Sequence, residues 1–250
     1  MSAPQVVVHG GVRVVRDDLF PGGTKARYIG TLFDGADELV YASPAEGGAQ
    51  FALAVCARQK QKRATIFVAG RKTPHDRAFE AKALGARVMQ VRPGYLNVVQ
   101  ARARDYCNRT GATLVPFGVA VPGATQAIAS AATATSLSPD EVWCAAGSGL
   151  LSRGLGAAWP SAKLHVVQVG RELKPGDIPA GAVVHKAPLP FSRPHRSAPP
   201  FPADKHYEAK AWETCVHRHG SGMVVFWNVA GPPLQQGQIN HQGEMAQAAG

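Results

Sequence analysis

Pro21-Gly22-Gly23-Thr24-Lys25-Ala26-Arg27 runs directly into Tyr28-Ile29-Gly30-Thr31-Leu32-Phe33. Two glycines let the backbone turn sharply, after which the pattern turns helical and sets one lysine among the opening residues. The positive end of a helix disfavours an ammonium charge, so such a lysine gives up its proton more readily than one in open solvent. A neutral lysine amine is a nucleophile able to form a Schiff base with a carbonyl compound. Alone, Lys25 reads better as a solvated side chain at a helix start. Its weight comes from two stretches further along the chain.

Around this segment strands and helices alternate. Val6-Val7-Val8 and Val12-Arg13-Val14-Val15 read as a hairpin turned at His9-Gly10-Gly11. Strands follow over 38–42, 64–68, 86–91 and 113–115, separated by helical patterns over 47–58, 74–84 and 95–110. Pro74 stands at an allowed helix start, and Gly85 and Gly111 close the second and third helices. This strand–helix rhythm predicts an α/β fold with mostly parallel sheets and helices on both faces. A helix of small residues over 123–134, strands over 141–145 and 164–169, a helix over 207–219 and a strand over 223–227 continue the pattern. The proline-rich stretch over 174–204 reads as a covering loop or flap. Residues 235–250 read as a frayed, flexible tail.

Bulk composition narrows the classes. With 250 residues the chain is long enough for one or two domains, and 45% hydrophobic residues supply a sizeable core. Aromatics make up only 7%, so Ala, Val and Leu must fill most of that core. No basic leader joined to an apolar run and no membrane-length apolar stretch is visible, so the expectation is a soluble, cytoplasmic protein. Cys56, Cys107, Cys144 and Cys215 are widely spaced, which fits reduced thiols better than a disulfide frame or a zinc site. His217 and His219, two apart on a helix, face different ways and make a poor metal pair. The net charge of +10 favours anionic ligands or polyanionic partners. Its carriers are dispersed, as in Arg58-Gln59-Lys60-Gln61-Lys62-Arg63 and Arg102-Ala103-Arg104, and no nucleic-acid-binding motif accompanies them.

The second informative stretch is Ala145-Ala146-Gly147-Ser148-Gly149-Leu150-Leu151-Ser152-Arg153-Gly154, which leaves a strand and opens a helix. Glycines there let the backbone approach an anion, and the free amides of the helix start point at it, so the loop reads as a phosphate site. It lacks the lysine of a nucleotide P-loop and the third glycine spacing of a dinucleotide site. The third stretch, Ser43-Pro44-Ala45-Glu46-Gly47-Gly48-Ala49-Gln50, again lies between strand and helix. Its helix-start amides with Ser43 and Gln50 read either as a carboxylate site or as a structural turn.

A lysine after Gly-Gly, a strand–loop–helix for a carboxylate and a later glycine loop for a phosphate resemble, in that order, the pyridoxal-phosphate enzymes of the tryptophan-synthase-beta type. These include cysteine synthase, threonine dehydratase, aminocyclopropane-carboxylate deaminase and D-cysteine desulfhydrase. The resemblance runs from about Leu19 to Gly231, and Phe226-Trp227-Asn228-Val229-Ala230-Gly231-Pro232 is similar to the closing strand of the deaminase and desulfhydrase branch. It implies two open sheets with pyridoxal phosphate in the cleft between them. A larger cofactor domain would span 1–37 and 119–234, and a smaller substrate-loop domain 38–118. The cofactor would be held by Lys25, by Gly147, Ser148, Gly149, Leu150, Leu151 and Ser152, and by Asn228 at the ring nitrogen. The substrate would meet Ser43, Ala45, Glu46, Gly47, Gly48 and Gln50.

Three positions depart from the family pattern. Ala45 stands where members have an asparagine on the ring hydroxyl, Leu151 replaces the phosphate-loop threonine, and Val229 stands where a serine or threonine faces the pyridine nitrogen. The resemblance implies alpha-proton removal, elimination, replacement or deamination on an amino acid or similar amine, with Lys25 linked as a Schiff base. Tyr41, Tyr95 and Tyr207 are candidate second acids, and a homodimer is implied as well. The charge raises an alternative in which the amine is carried by a modified nucleobase in DNA. The three departures raise another, a cofactor-binding protein that has lost its chemistry.

Overall fold

A computed structural model describes residues 2–234, and the expected tail over 235–250 lies outside the described residues. Strands β1 (Gln5–His9) and β2 (Val12–Arg16) lead into helix α1 (Gly23–Ile29), followed by β3 (Glu38–Ala42) and α2 (Ala49–Gln59). Then come β4 (Arg63–Ala69), α3 (Asp76–Ala83), β5 (Arg87–Val91), α4 (Leu96–Thr110) and β6 (Thr113–Val115). The chain continues through α5 (Ala124–Thr133), β7 (Glu141–Ala146), α6 (Leu150–Ala158) and β8 (Lys163–Gln168). It closes with β9 (Val183–Lys186), α7 (Glu208–Arg218) and β10 (Val224–Asn228). Among the described residues no helix is long and apolar enough to cross a membrane.

The chain divides into two compact units, one of residues 2–27 with Pro122–Pro232, the other of Tyr28–Val121 with 233–234. The first unit holds a six-stranded sheet in the order β1-β2-β10-β7-β8-β9. β1 pairs antiparallel with β2, and every other pairing is parallel. All five residues of β10 are buried, as a central strand covered on both faces requires, and its Val-Val-Phe-Trp run supplies the apolar side chains. Trp143 and Phe226 meet Phe201 and Trp212 in one core, with Trp212 edge-on to Phe226 at 5.3 Å. The small side chains of α5 pack against α6.

The proline-rich stretch is part of this unit rather than a loop over it. Within it β9 extends the sheet in parallel beside β8, Val183 opposite His165. Phe201 and Ala203 are buried in the core, and Pro202 accepts a hydrogen bond from Asn228 Nδ2 at 2.8 Å. The edge strand escapes sequence reading because it is four residues long, alternates between half-buried and exposed, and is surrounded by prolines.

The second unit holds a four-stranded parallel sheet in the order β5-β4-β3-β6. β3 is buried along its whole length. α2 and α3 pack on each other and against β4 and β5, while α4 lies on β3, β4 and β6 through Val99 and Ala103.

Candidate functional site

In the first unit the parallel strands β2, β10 and β7 are neighbours, so their carboxyl ends share one edge of the sheet. Three of the sequence features follow those ends directly. Asp17 and the Lys25 helix come after β2, Asn228 ends β10, and Gly147 follows Ala146 at the end of β7. Ligands of open α/β sheets bind along this edge.

Lys25 is held there by a clamp on its neighbours. Asp17, fully buried, accepts from Arg27 Nε at 2.8 Å and Nη2 at 2.6 Å on one oxygen, and from Thr24 Oγ1 at 2.6 Å on the other. Thr24 Oγ1 in turn accepts from Trp227 Nε1 at 2.9 Å, and Thr24 N donates to Val229 O at 3.1 Å. Burial pushes the Asp17 carboxyl up, opposed by the Arg27 and Thr24 bonds. Gly23 has φ +67°, and a Cβ on it would lie 2.4 Å from Val229 O, so only glycine lets α1 start against β10. Thr24, Ala26 and Arg27 are buried, while the Lys25 side chain is half-buried. Of the clamp residues Asp17 lies outside the stretches that carry the resemblance, and in the sequence it looks like an ordinary turn residue.

The glycine loop opens α6 as expected. Gly149 has φ +83°, and a Cβ there would lie 2.1 Å from Asp177 O, so the 171–178 segment rests on bare backbone. Arg153 Nη1 donates to the same Asp177 carbonyl at 2.9 Å, and Arg171 pairs with the Asp177 carboxylate at 2.9 Å. The Ser152 hydroxyl is buried and donates to Gly149 O at 2.7 Å, so it closes the helix start instead of facing outward. Leu150 is buried and brings no hydroxyl, and Leu151 and Ser148 are half-buried. The first-turn amides of α6 have no acceptor within the helix. Tyr207 stands over the loop, with its Cε1 3.3 Å from where a Gly147 Cβ would be.

Asn228 is fully buried, and its amide donates to Pro202 O while Oδ1 has no partner among the described residues. An unsatisfied buried acceptor carries a desolvation cost that a ligand N–H would relieve. The glycine-lined loop offers main-chain donors to an anion and this oxygen accepts from a donor, and both stand at the carboxyl ends of neighbouring strands.

The third stretch lies in the second unit. Ser43 Oγ donates to Pro44 O at 2.8 Å, and Gln50 Nε2 donates to the carbonyls of Pro44 at 3.0 Å and Ala45 at 2.9 Å. Both side-chain donors are therefore spent inside the turn, and Gln50 Oε1 is left buried without a partner among the described residues. Glu46 is buried and paired with Arg71 at 2.8 Å. Gly47 and Gly48 lead into the start of α2.

Of the three tyrosines, Tyr95 is 85% exposed, Tyr41 is buried with its phenol pushed up to about 12 by burial, and Tyr207 adjoins the glycine loop.

No protein-family model matches the chain, and no curated protein matches it. Among solved structures it is similar to an ACC deaminase homologue, at 17% identity over 94% of this chain and 88% of that one, with a TM-score of 0.77. It is also similar to maize serine racemase, at 10% identity over 98% and 93% of the two chains, with a TM-score of 0.70. Similarity to Escherichia coli diaminopropionate ammonia lyase is 13% over 93% and 80%, with a TM-score of 0.62. The chain has the fold of these proteins, which is the α/β fold implied by the resemblance around Lys25 and Gly147.

Proposed function

We propose that this chain is a pyridoxal-phosphate enzyme that carries its cofactor on Lys25 and acts on an amino acid or a similar amine. The observation that carries the reading is the shared sheet edge. An amine on a clamped helix, a buried acceptor without a partner and a glycine-lined helix start follow the carboxyl ends of three adjacent strands. The solved structures of the same fold, among them a deaminase homologue, a racemase and an ammonia lyase, point to the same chemistry.

When bound, the cofactor supplies an electron sink for charge developing at the substrate's alpha carbon. Main-chain amides from Gly147 to Ser152 would hold the phosphate, with the Ser148 hydroxyl beside them. Asn228 Oδ1 would accept the ring N–H. The Lys25 amine would hold or move the proton at the substrate's alpha carbon. In the second unit, Ser43 and Gln50 spend their side-chain donors and Gly47 its amide on the turn, which leaves the amides of Gly48 and Ala49 as the donors this turn can offer a carboxylate. Arg71 neutralises Glu46 there, and Ala45 brings no side-chain donor. Elimination, replacement and deamination all begin with these moves.

The test is spectroscopic. Protein mixed with pyridoxal phosphate should show a visible band that borohydride bleaches, leaving a reduced adduct on the Lys25 peptide by mass spectrometry. Lys25→Ala should show neither. A protein that leaves the cofactor spectrum unchanged and carries no adduct would remove the reading. Cofactor bound on Lys25 but no spectral response to any amine would instead support the binding protein without chemistry. The net charge of +10 favours a second reading, an amine borne by a nucleobase of DNA. Efficient turnover of free amino acids with indifference to DNA would exclude it.

A further inference from the structure

The run that looks most basic in the sequence is neutralised in the fold. Lys60 pairs with Asp34 at 2.9 Å, Lys62 with Asp37, and Arg63 with Glu38 at 3.3 Å. The positive charge that remains in the second unit gathers elsewhere, around α4. Only Val99 and Ala103 of this helix are buried, so most of its circumference is open. Arg102 and Arg109 stand exposed on one flank of it and Arg104 on the other, Arg87 and Arg92 stand exposed at the two ends of β5, and Asp105 pairs with Arg102 at 3.7 Å. Arg87, Arg92 and Arg104 have no acidic partner among the described residues.

Grooves border the helix on three sides. One of about 530 Å³ is lined by Phe67, Val91, Arg102, Asp105, Asn108 and Arg109. Another of about 160 Å³ lies between Arg104 and Phe117, and a third of about 440 Å³ joins Tyr106 to Arg63 and Arg87. Tyr95, at the start of α4, is 85% exposed, and Phe117 is 38% exposed. Guanidinium charges along α4, with Phe117 in the Arg104 groove and the open Tyr95 ring at the helix start, match a strand whose phosphates need cations and whose unpaired bases need faces to stack on. A second copy of the chain on this face would set arginine against arginine, and an acidic polypeptide has no use for the rings.

We propose that the α4 face of the second unit binds single-stranded nucleic acid, its arginines on the phosphates and Tyr95 and Phe117 under the bases. This surface is independent of Lys25 and of the cofactor reading. The test is fluorescence anisotropy of the full chain with a labelled 20-nucleotide oligothymidine across a salt series. Each phosphate contact contributes about 0.7 to the slope of log affinity against log salt. The triple variant Arg102→Gln, Arg104→Gln, Arg109→Gln should therefore bind with a slope shallower by about 2 and at least ten-fold more weakly at moderate salt. Tyr95→Ala, at a position with almost no packing to lose, should weaken binding about ten-fold with the slope unchanged. The control Lys186→Gln, Arg196→Gln, Lys205→Gln removes the same charge from exposed positions of the first unit and should keep the wild-type slope. No binding by the wild-type chain at low salt, or an equal loss in both triple variants, would overturn the proposal. So would displacement of the oligonucleotide by polyglutamate of equal charge as effective as that by unlabelled oligonucleotide, since it would assign the face to an acidic protein.

Discussion

Asn228 concentrates the chemistry of the first unit in one atom. Its amide is satisfied by Pro202 and its carbonyl oxygen by nothing described, an arrangement that costs stability unless a donor arrives. Asn228→Ala should weaken pyridoxal-phosphate affinity about ten-fold in a fluorescence titration, as loss of one hydrogen bond to a charged N–H does. Unchanged affinity would detach Asn228 from the cofactor. Gly149 makes the opposite kind of prediction, because nothing larger fits there. A methyl group 2.1 Å from Asp177 O, on a residue with φ +83°, should cost about 3 kcal/mol in urea unfolding of Gly149→Ala. The thiols give a third check at this scale. Cys56 and Cys144 are buried and pushed up to about 12, burial also raises Cys215, and Cys107 is only half-buried. Cys107 is also raised, by burial and by Glu38, but its partial exposure should make it the first thiol to react with a colorimetric reagent in the native protein, and all four should react after denaturation.

α1 shows how an element depends on partners far away in sequence. At seven residues it is too short to persist by itself in water, so its position comes from the Asp17 clamp and from the contact of its first turn with β10. Removing one member leaves a buried charge alone, the costly case for an ion pair. Arg27→Met should destabilise the protein by about 3–5 kcal/mol in urea unfolding and loosen Lys25. Adding Asp17→Leu should return much of that stability, because the orphaned carboxylate is gone. A double variant no more stable than the single one would mean that the clamp acts through shape and not charge. β9 belongs to the same lesson. Its backbone bonds to β8 define it, and the four residues themselves carry little strand signal.

At the scale of the molecule, pH should act through a buried aromatic stack. Trp143 lies on His165 with ring centres 4.0 Å apart, and His165 Nδ1 is 2.9 Å from His185 Nε2. Burial lowers His165 to about 4, against the Glu141 carboxylate and with help from His185 and Lys163; His185 is lowered too, by burial and then by Arg218 and Lys163. The folded chain thus keeps His165 neutral where the unfolded chain, with a value near 6.5, takes up a proton. Stability should be at its full value above about pH 7 and fall as pH drops from about 6.5 to 4, His165 contributing a loss of about 2–3 kcal/mol. His165→Phe, which keeps a ring in the stack, should flatten that part of the profile in thermal melts taken at pH 5 and pH 7. A profile as steep as that of the wild type would place the titrating group elsewhere.

The sequence by itself determined what is local. The strand–helix rhythm, the glycine turn before Lys25 and the Gly147–Gly149 loop are short-range patterns, because dihedral freedom and hydrophobic periodicity are properties of neighbouring residues. Only the tertiary structure decided what those segments meet. Thr24 finds Trp227 across 203 positions, and the Asn228 oxygen has no partner among the described residues. Lys60, Lys62 and Arg63 are neutralised by Asp34, Asp37 and Glu38, while on α4 Arg102 pairs with Asp105 and Arg104 has no acidic partner among the described residues. Burial and pairing arise from contacts between segments distant in the chain, and no window of sequence contains both members of such a contact.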